Sequence, residues 1–335
     1  MFTEIVKCER LTNWHESTWQ ESWDTWWHYK EGIIGGPSHW GQPAFMTYNE
    51  DVWQACRLGK MQSPIDISTE ALTFDPHLEP LVISGSDRQV SVTITNSGQD
   101  LKMEIDTDNP PVTLMAGPLS YEYQVFGAVL KFGSNAARGS DHSIDGQFFP
   151  AELQFYAFNS VMYRNFSVAS SRPHGVAAIS IFLKVGKQSS ADLSAVLSTA
   201  EKLELKGQSR RLNGLLLSAL LPSTEQYIVY HGSLPFPACH ETVIWILLNR
   251  AISVTNAQLK GLRELRMSPF RESGRMSDNF RPTQNGNNRQ LWTNIKFEKS
   301  PHHCTLLRNR TIKMYNLELE TFHHTEYNSP NLLNS

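Results

Sequence analysis

Long apolar runs are missing from this sequence. The longest candidate, Val243–Leu248, is long enough only for a strand, whereas a helix that crosses a bilayer needs about 20 apolar residues. We therefore expect no membrane span. The amino terminus carries Glu4, Lys7 and Arg10 without an apolar stretch, so it does not have the pattern of a secretory signal. Taken alone, this absence favours the cytoplasm.

An excess of charge of either sign is also missing. The chain has 30 Lys and Arg against 33 Asp and Glu, which leaves a formal net charge of -3. A protein that binds nucleic acid or an anionic membrane non-specifically usually carries a basic patch or a basic net charge. The composition therefore excludes nucleic acid as an expected partner.

Cysteine is scarce, and its spacing indicates no metal site. The four cysteines are Cys8, Cys56, Cys239 and Cys304, with no CxxC pair among them. They are too few for a disulfide scaffold and lack the spacing of a zinc site. Two glycosylation sequons, at Asn165 and Asn309, are used only if the chain enters the secretory pathway. These features alone leave the compartment open.

What is present is a β-type pattern in the middle of the chain. Short runs rich in β-formers are separated by turn residues at 90–95, 101–105, 125–132, 152–158 and 177–185. This spacing predicts a mainly β domain. Helical spacing predicts a helix over 190–205 and a shorter one that opens at Asn256 and carries Leu259, Leu262 and Leu265. The predicted organisation is an amino-terminal extension over 1–22, one domain over 23–297, and a polar, poorly ordered tail over 298–335.

Seven short segments match one family in order and spacing, over about four-fifths of the chain. They are Trp27-His28-Tyr29, Gly36-Pro37-Ser38-His39-Trp40, Gln62-Ser63-Pro64-Ile65-Asp66-Ile67, Gly139-Ser140-Asp141-His142, Ala151-Glu152-Leu153, Gly232-Ser233-Leu234 and Asp278-Asn279-Phe280-Arg281-Pro282. In these segments the sequence resembles the α-carbonic anhydrases. It is most similar to the catalytically inactive carbonic anhydrase-related proteins of the tenth and eleventh type. The resemblance implies a central, twisted, mostly antiparallel sheet of about ten strands with short peripheral helices.

The same resemblance assigns the positions that hold zinc in active members of the family. Three histidines surround the ion there, and a water in the fourth position has its pKa lowered to about 7. The matching positions in this chain are Val129, Lys131 and Gln154. Valine has no lone pair, a charged lysine repels a dication, and an amide oxygen is a weak zinc ligand. We therefore expect no metal, no cofactor and no enzymatic activity.

The groups that assist the zinc in active relatives are also replaced. The threonine position of the hydroxide relay is Pro235, its glutamate is Asp141, and the proton-shuttle histidine is Gln99. Proline has neither a hydroxyl nor an N–H, and glutamine does not titrate near neutral pH. Glu152, which in the family supports the third histidine, is expected to remain without its partner.

Lys131 admits two interpretations in the cavity that the resemblance implies, beside Glu152 and Asp141. In the first, its ammonium replaces the lost cation and pairs with an acidic neighbour, since a buried lone carboxylate is costly. In the second, Lys131 extends into a solvent-filled cleft. The sequence favours the second interpretation.

The resemblance also assigns roles to cysteines and aromatic residues. Cys56 and Cys239 match positions that are bridged in extracellular members of the family, whereas Cys8 and Cys304 have no counterpart, and such unpaired cysteines could link two chains. The aromatic residues Trp23, Trp26, Trp27, Tyr29 and Trp40 are expected to pack the amino-terminal segment onto the sheet.

The function that the resemblance implies is a secreted, glycosylated, non-catalytic binding module. Relatives in this branch are associated with nervous tissue and with neurexin-type cell-surface receptors, so such a receptor is the expected partner. The rival from another class is a zinc-dependent carbonic anhydrase that hydrates carbon dioxide. A third interpretation, an intracellular scaffold, follows only from the absent signal sequence. Metal content separates the binding module from the hydrase, because a hydrase without metal cannot make hydroxide at neutral pH.

Overall fold

A computed structural model describes residues 27–42, 53–272 and 274–296 of the chain. The predicted extension over 1–22 and the predicted tail over 298–335, which include Cys8, Cys304 and Asn309, therefore lie outside the described residues, as do Trp23 and Trp26. The strands are β1 Asp66–Ile67, β2 Leu72–Phe74, β3 Leu81–Ser84, β4 Gln89–Asn96, β5 Leu101–Ile105, β6 Thr113–Ala116, β7 Tyr123–Phe132, β8 Ser143–Ile144, β9 Ala151–Asn159, β10 Val176–Val185, β11 Ser209–Leu216, β12 Tyr227–Gly232, β13 Val243–Leu248, β14 Ile252–Val254 and β15 Leu291–Thr293. The helices are α1 Gln54–Leu58, α2 Phe166–Ser170, α3 Ala191–Ala200 and α4 Asn256–Leu262.

Thirteen strands form one sheet. Ten of them run side by side in the order β11-β4-β5-β7-β9-β10-β13-β12-β15-β2, while β3, β6 and β14 pair at the sides of this path. Strands β1 and β8 form a separate parallel pair. Within the large sheet, the parallel pairings are β10 with β13, β10 with β14 and β15 with β2, and the other pairings are antiparallel. The predicted mainly β architecture with a mostly antiparallel sheet of about ten strands is confirmed.

The central strands β7, β9 and β10 are buried almost throughout because both faces of the sheet are covered. Successive residues of a strand point to opposite faces. Leu130 and Leu153 accordingly belong to the core that packs beneath α3. Val129 and Tyr156 belong to a second, aromatic-rich core on the opposite face. The candidate site lies on this second face.

The helix predicted over 190–205 is shorter than expected. It begins after Ser190, whose hydroxyl accepts a hydrogen bond from the Leu193 N–H, and α3 ends at Ala200. The Asn96 side chain donates to the carbonyl oxygens of Leu203 and Glu204, which holds the following segment against β4 instead of extending the helix. The predicted helix at Asn256 is confirmed as α4, which opens with a capping box.

Two features attach the amino-terminal part of the domain to the sheet. Trp27, Tyr29 and Trp40 are buried and pack edge to face, which confirms their predicted role in the core. A disulfide joins Cys56 in α1 to Cys239 in the loop between β12 and β13, as predicted.

None of the helices in the described ranges is long and apolar enough to cross a membrane.

Candidate functional site

The three positions that the resemblance assigns to zinc ligands meet on one face of the sheet. Val129 and Lys131 are two residues apart on β7, and Val129 lies directly opposite Gln154 on β9. This register places the three side chains on the same side of the sheet. All three are buried, with 1%, 0% and 0% of their surface exposed. The structure thus brings together the residues that the sequence singled out.

Lys131 is fully buried and forms an ion pair. Its Nζ lies 2.9 Å from Oδ1 of Asp100 and donates to the Tyr29 hydroxyl at 2.7 Å. Tyr29 in turn donates to Oδ2 of Asp100 at 3.2 Å, which closes a ring of three hydrogen bonds. A second carboxylate, Asp141, lies 3.9 Å from Nζ. The favoured interpretation, that Lys131 extends into a solvent-filled cleft, is wrong, because a carboxylate and a phenol supply inside the protein the contacts that water would have made.

Gln154 uses both ends of its amide inside the same cluster. Its Nε2 donates to Oδ2 of Asp141 and to Oε1 of Glu152, each at 2.9 Å. Its Oε1 accepts a hydrogen bond from the Tyr156 hydroxyl at 2.8 Å. The amide oxygen, which is the only atom at this position with a lone pair for a metal, is therefore already engaged.

Glu152 lacks the histidine that it supports in active relatives, but it has other partners. Its carboxylate accepts from the backbone N–H of His142 at 2.9 Å, contacts His142 Nδ1 at 2.8 Å and accepts from the Ser180 hydroxyl at 2.7 Å. The other ring nitrogen of His142 lies 2.7 Å from the Tyr230 hydroxyl. The expectation concerned only the residue at position 154 and did not identify these partners. The carboxylate is held by a histidine on the neighbouring loop as well as by Gln154.

The two carboxylates that flank Gln154 have oppositely shifted pKa values. Burial raises the pKa of Asp141 to about 6, although the charge of Lys131 opposes this shift. Burial acts in the same direction on Glu152, but the charge and hydrogen bonds of His142 outweigh it and lower the pKa of Glu152 to about 2. Burial and the negative charge of Asp100 raise the pKa of Tyr29 well above its usual value, so this phenol keeps its proton.

Aromatic rings fill the space next to the cluster. Tyr156, which by resemblance replaces a small residue of the carbon dioxide pocket, is fully buried. Its ring packs edge to face against Phe166, Phe236 and Trp245 with centroid separations of 6.2, 5.8 and 6.0 Å. Phe126 stacks on Phe166 at 4.8 Å. These rings belong to one aromatic-rich core on the same face of the sheet as the cluster.

The other positions assigned by the resemblance lie near the cluster or at the surface. Pro235 is buried in the loop between β12 and β13. Gln99 is half-buried, and its amide donates to the carbonyl oxygen of Trp27 at 3.3 Å. Asn165, the first sequon, caps α2 through its Oδ1, which accepts from the Val168 N–H at 2.9 Å.

Zinc is the cofactor that the resemblance would bring to this site, and the residues present do not fit it. A zinc site needs several neutral imidazole, thiolate or carboxylate donors that converge on one point. At the three strand positions stand an alkyl group, an ammonium and an engaged amide. Across the described residues, no group of three or more His, Cys, Asp or Glu side chains is placed to hold a metal ion. The residues at this site form a charge cluster, in which they hydrogen-bond to one another.

Sequence reasoning missed Asp100, the acidic residue that pairs most closely with Lys131. The residue follows Gly98 and Gln99 in the turn between β4 and β5, where an aspartate is common for local reasons. Its side chain is nevertheless completely buried. The signal that could have found it is a pairing of β5 with β7, since the turn before β5 then lies beside the end of β7.

Two comparisons with known proteins agree with this architecture. The family model for the eukaryotic-type carbonic anhydrase matches residues 35–295. A relative from Caenorhabditis elegans, named "Putative carbonic anhydrase-like protein 2", is 37% identical over 267 residues, which cover 78% of this chain and 77% of the relative. The range of the family model includes every strand of the sheet, together with Asp100, Lys131 and Asp141 of the charge cluster. The chain belongs to the α-carbonic anhydrase family, among the carbonic anhydrase-related proteins.

Proposed function

We propose that this protein is a zinc-free, non-catalytic carbonic anhydrase-related protein that is secreted and acts as a binding module for a neurexin-type cell-surface receptor. The observation that carries the non-catalytic part is the position of the Lys131 ammonium. It lies on the ligand face of β7, 2.9 Å from Asp100, where the family would place a zinc ligand. A dication and this ammonium would repel each other within the same pocket.

The chemistry of the family supports this proposal. Hydration of carbon dioxide at neutral pH needs a hydroxide, which a metal ion generates by lowering the pKa of its bound water. No side chain at positions 129, 131 or 154 supplies a free donor for that metal. The buried Tyr156 ring beside them adds a steric obstacle to the substrate.

The extracellular part of the proposal is supported by the Cys56–Cys239 disulfide, because such bonds persist mainly in oxidising compartments. The Asn165 side chain is half-buried at the start of α2 and uses its oxygen for the helix cap. Its amide nitrogen is the atom that a glycan would modify. The receptor class comes from the resemblance to the tenth and eleventh related proteins.

Metal content and activity test the non-catalytic part on a single preparation. Protein purified without chelators is expected to contain well under one zinc per chain and to hydrate carbon dioxide no faster than buffer. An active α-carbonic anhydrase prepared in parallel serves as the control. Stoichiometric zinc that survives dialysis, or activity that a sulfonamide inhibitor abolishes, would establish the rival zinc hydrase.

Secretion and receptor binding need separate measurements. Full-length protein expressed in animal cells from its complete gene is expected in the medium, with a mobility that increases after Asn165→Gln. Surface plasmon resonance against an immobilised neurexin-type ectodomain should then show saturable binding that an unrelated adhesion ectodomain does not show. Protein retained in the cytoplasm, or equal binding to both ectodomains, would contradict this part of the proposal.

A further inference from the structure

Within the described residues, Lys131 forms the ion pairs of the two aspartates in the charge cluster. Asp100 and Asp141 are both fully buried, and across residues 27–42, 53–272 and 274–296 the ion pairs recorded for them are both with Lys131. The nearby Arg281 guanidinium is directed elsewhere, to the side-chain oxygen of Gln62 and the carbonyl oxygen of Ser63. Without the Lys131 ammonium, Asp100 and Asp141 would therefore lose their ion pairs within these ranges, although Asp141 would keep the attraction of the Arg281 charge.

We propose that this pocket is a binding site for a primary ammonium group, which the chain fills with its own Lys131. The inference rests on the zinc-free part of the proposed function and goes beyond it, since it assigns the ligand chemistry of the pocket. Its consequence is that a pocket with a shortened residue 131 takes up a small primary alkylammonium ion from solution.

The geometry favours an ammonium over a metal ion. The hydrogens of an ammonium point in three directions, and Nζ has acceptors at the Tyr29 hydroxyl, 2.7 Å away, and at Asp100, 2.9 Å away. Asp141 lies in a third direction at 3.9 Å, where it contributes charge without a short hydrogen bond. A phenol that keeps its proton is a weak metal ligand but a good acceptor for an N–H.

The methylene stem of Lys131 also fits a site for a primary alkylammonium ion. None of the Lys131 surface reaches solvent, so its methylene groups are enclosed by the protein. Lys131→Ala removes three methylene groups and the ammonium, and these atoms correspond to n-propylammonium. The variant would thus leave a cavity that has the shape of n-propylammonium and carboxylates at one end.

The first experiment is chemical rescue of Lys131→Ala in the full chain. The variant is expected to lose about 10 °C in Tm, because breaking a buried pair leaves an uncompensated charge. Refolding and heating with n-propylammonium chloride should restore most of this loss. Tetramethylammonium chloride at equal ionic strength should restore none, because it has no N–H and is too large. Wild-type protein and the exposed-lysine control Lys260→Ala should not respond to either salt.

A second pair of variants covers the case in which Lys131→Ala does not fold. Lys131→Met keeps the volume but removes the charge, and it should lower Tm by a similar amount. Lys131→Met combined with Asp100→Asn removes both charges and should recover most of the difference. A wild-type Tm for Lys131→Met, a double variant no better than the single one, or a foldable Lys131→Ala that ignores n-propylammonium would each overturn the inference.

These outcomes are separate from those of the proposed function. Wild-type protein that is zinc-free but whose Lys131→Ala variant shows no rescue would refute the ammonium site alone. Wild-type protein that carries one firmly bound zinc would refute the zinc-free proposal itself, whatever the Tm values of the variants.

Discussion

Asp141 accepts two short hydrogen bonds, but the cation that pairs with it, Lys131, lies farther away. The backbone N–H of Arg281 donates to it at 2.7 Å and the Gln154 amide at 2.9 Å. The Lys131 ammonium lies 3.9 Å away from Asp141 and only 2.9 Å from Asp100. Because the shared cation is closer to Asp100, the charge of Asp141 is incompletely compensated. This explains why the effect of burial dominates its pKa.

The raised pKa of Asp141 predicts an unusual dependence of stability on pH. Its pKa is about 6 in the folded protein against an ordinary value of 3.8. The folded state therefore binds a proton more tightly than the unfolded state, and this group adds stability as pH falls from about 6 to 4.5. Glu152 acts in the opposite direction, since its lowered pKa causes stability to be lost below its ordinary value of 4.5.

Urea denaturation of wild-type protein and Asp141→Asn at several pH values checks this prediction. Between pH 6 and 4.5 the wild type should gain about 1.5 kcal/mol of unfolding free energy relative to the variant. The amide costs some stability at every pH because it presents an N–H to the Gln154 donor, so the slope is the informative quantity. Parallel pH profiles would show that Asp141 does not titrate in this range.

The strands were more predictable from the sequence than the helices and the charge cluster. Strand β4 alternates buried residues such as Val92 and Ile94 with half-exposed ones, so its pattern is visible without the fold. The end of α3 was not predictable, because it depends on Asn96, which is distant in sequence. The Lys131–Asp100 pair was missed for a related reason, since the two residues come together only when β5 pairs with β7.

The antiparallel pairing of β7 with β9 predicts that a zinc site can be rebuilt on these strands. Val129→His, Lys131→His and Gln154→His would place three imidazoles on one buried face. Asp100→Asn should accompany them because the loss of Lys131 leaves this carboxylate unpaired. The variant is expected to bind about one zinc per chain, since coordination free energies of about 10 kcal/mol can offset repacking.

Zinc analysis after dialysis checks the rebuilt site, and the matched control carries alanine at the same three positions with Asp100→Asn. Hydration activity should remain low, because Tyr156 still fills the substrate space and Pro235 cannot act as a relay. Pro235→Thr and Asp141→Glu together should then raise it. If the near-ultraviolet circular dichroism of the histidine variant is unchanged and no zinc is retained, the assignment of positions 129, 131 and 154 is wrong.

The disulfide connects distant parts of the whole chain. Cys56 lies in α1 and Cys239 in the loop after β12, with a sequence separation of 183. Two buried side chains support the junction. Arg281 donates to the carbonyl oxygen of Cys56 at 3.3 Å, and Gln62 donates to that of Cys239 at 3.1 Å. The bond therefore closes a large loop of the unfolded chain onto a site that is already ordered by hydrogen bonds.

Removal of this bond is expected to destabilise the protein strongly. In the chain-entropy model, the loop of 183 residues corresponds to about 5 kcal/mol. Urea denaturation of Cys56→Ser/Cys239→Ser should show a loss of this order. Wild-type protein measured in a reducing agent is the control and should lose a comparable amount. An unfolding free energy within about 1 kcal/mol of the oxidised wild type would contradict the entropic account.

Strand β11, one of the two strands that end the sheet within the described residues, bears on how copies of the protein behave at high concentration. An open edge is a template on which strands of another molecule can add and aggregate. The pairing of β11 with β4 shifts register between Leu212 and Leu215, which bends the edge. Arg210 and Arg211 are exposed on it, and Arg211 is held by Asp108 at 2.7 Å. A strand added to β11 would have to pair with an irregular backbone and remove water from the two charged arginine side chains. This end of the sheet therefore resists edge-to-edge aggregation.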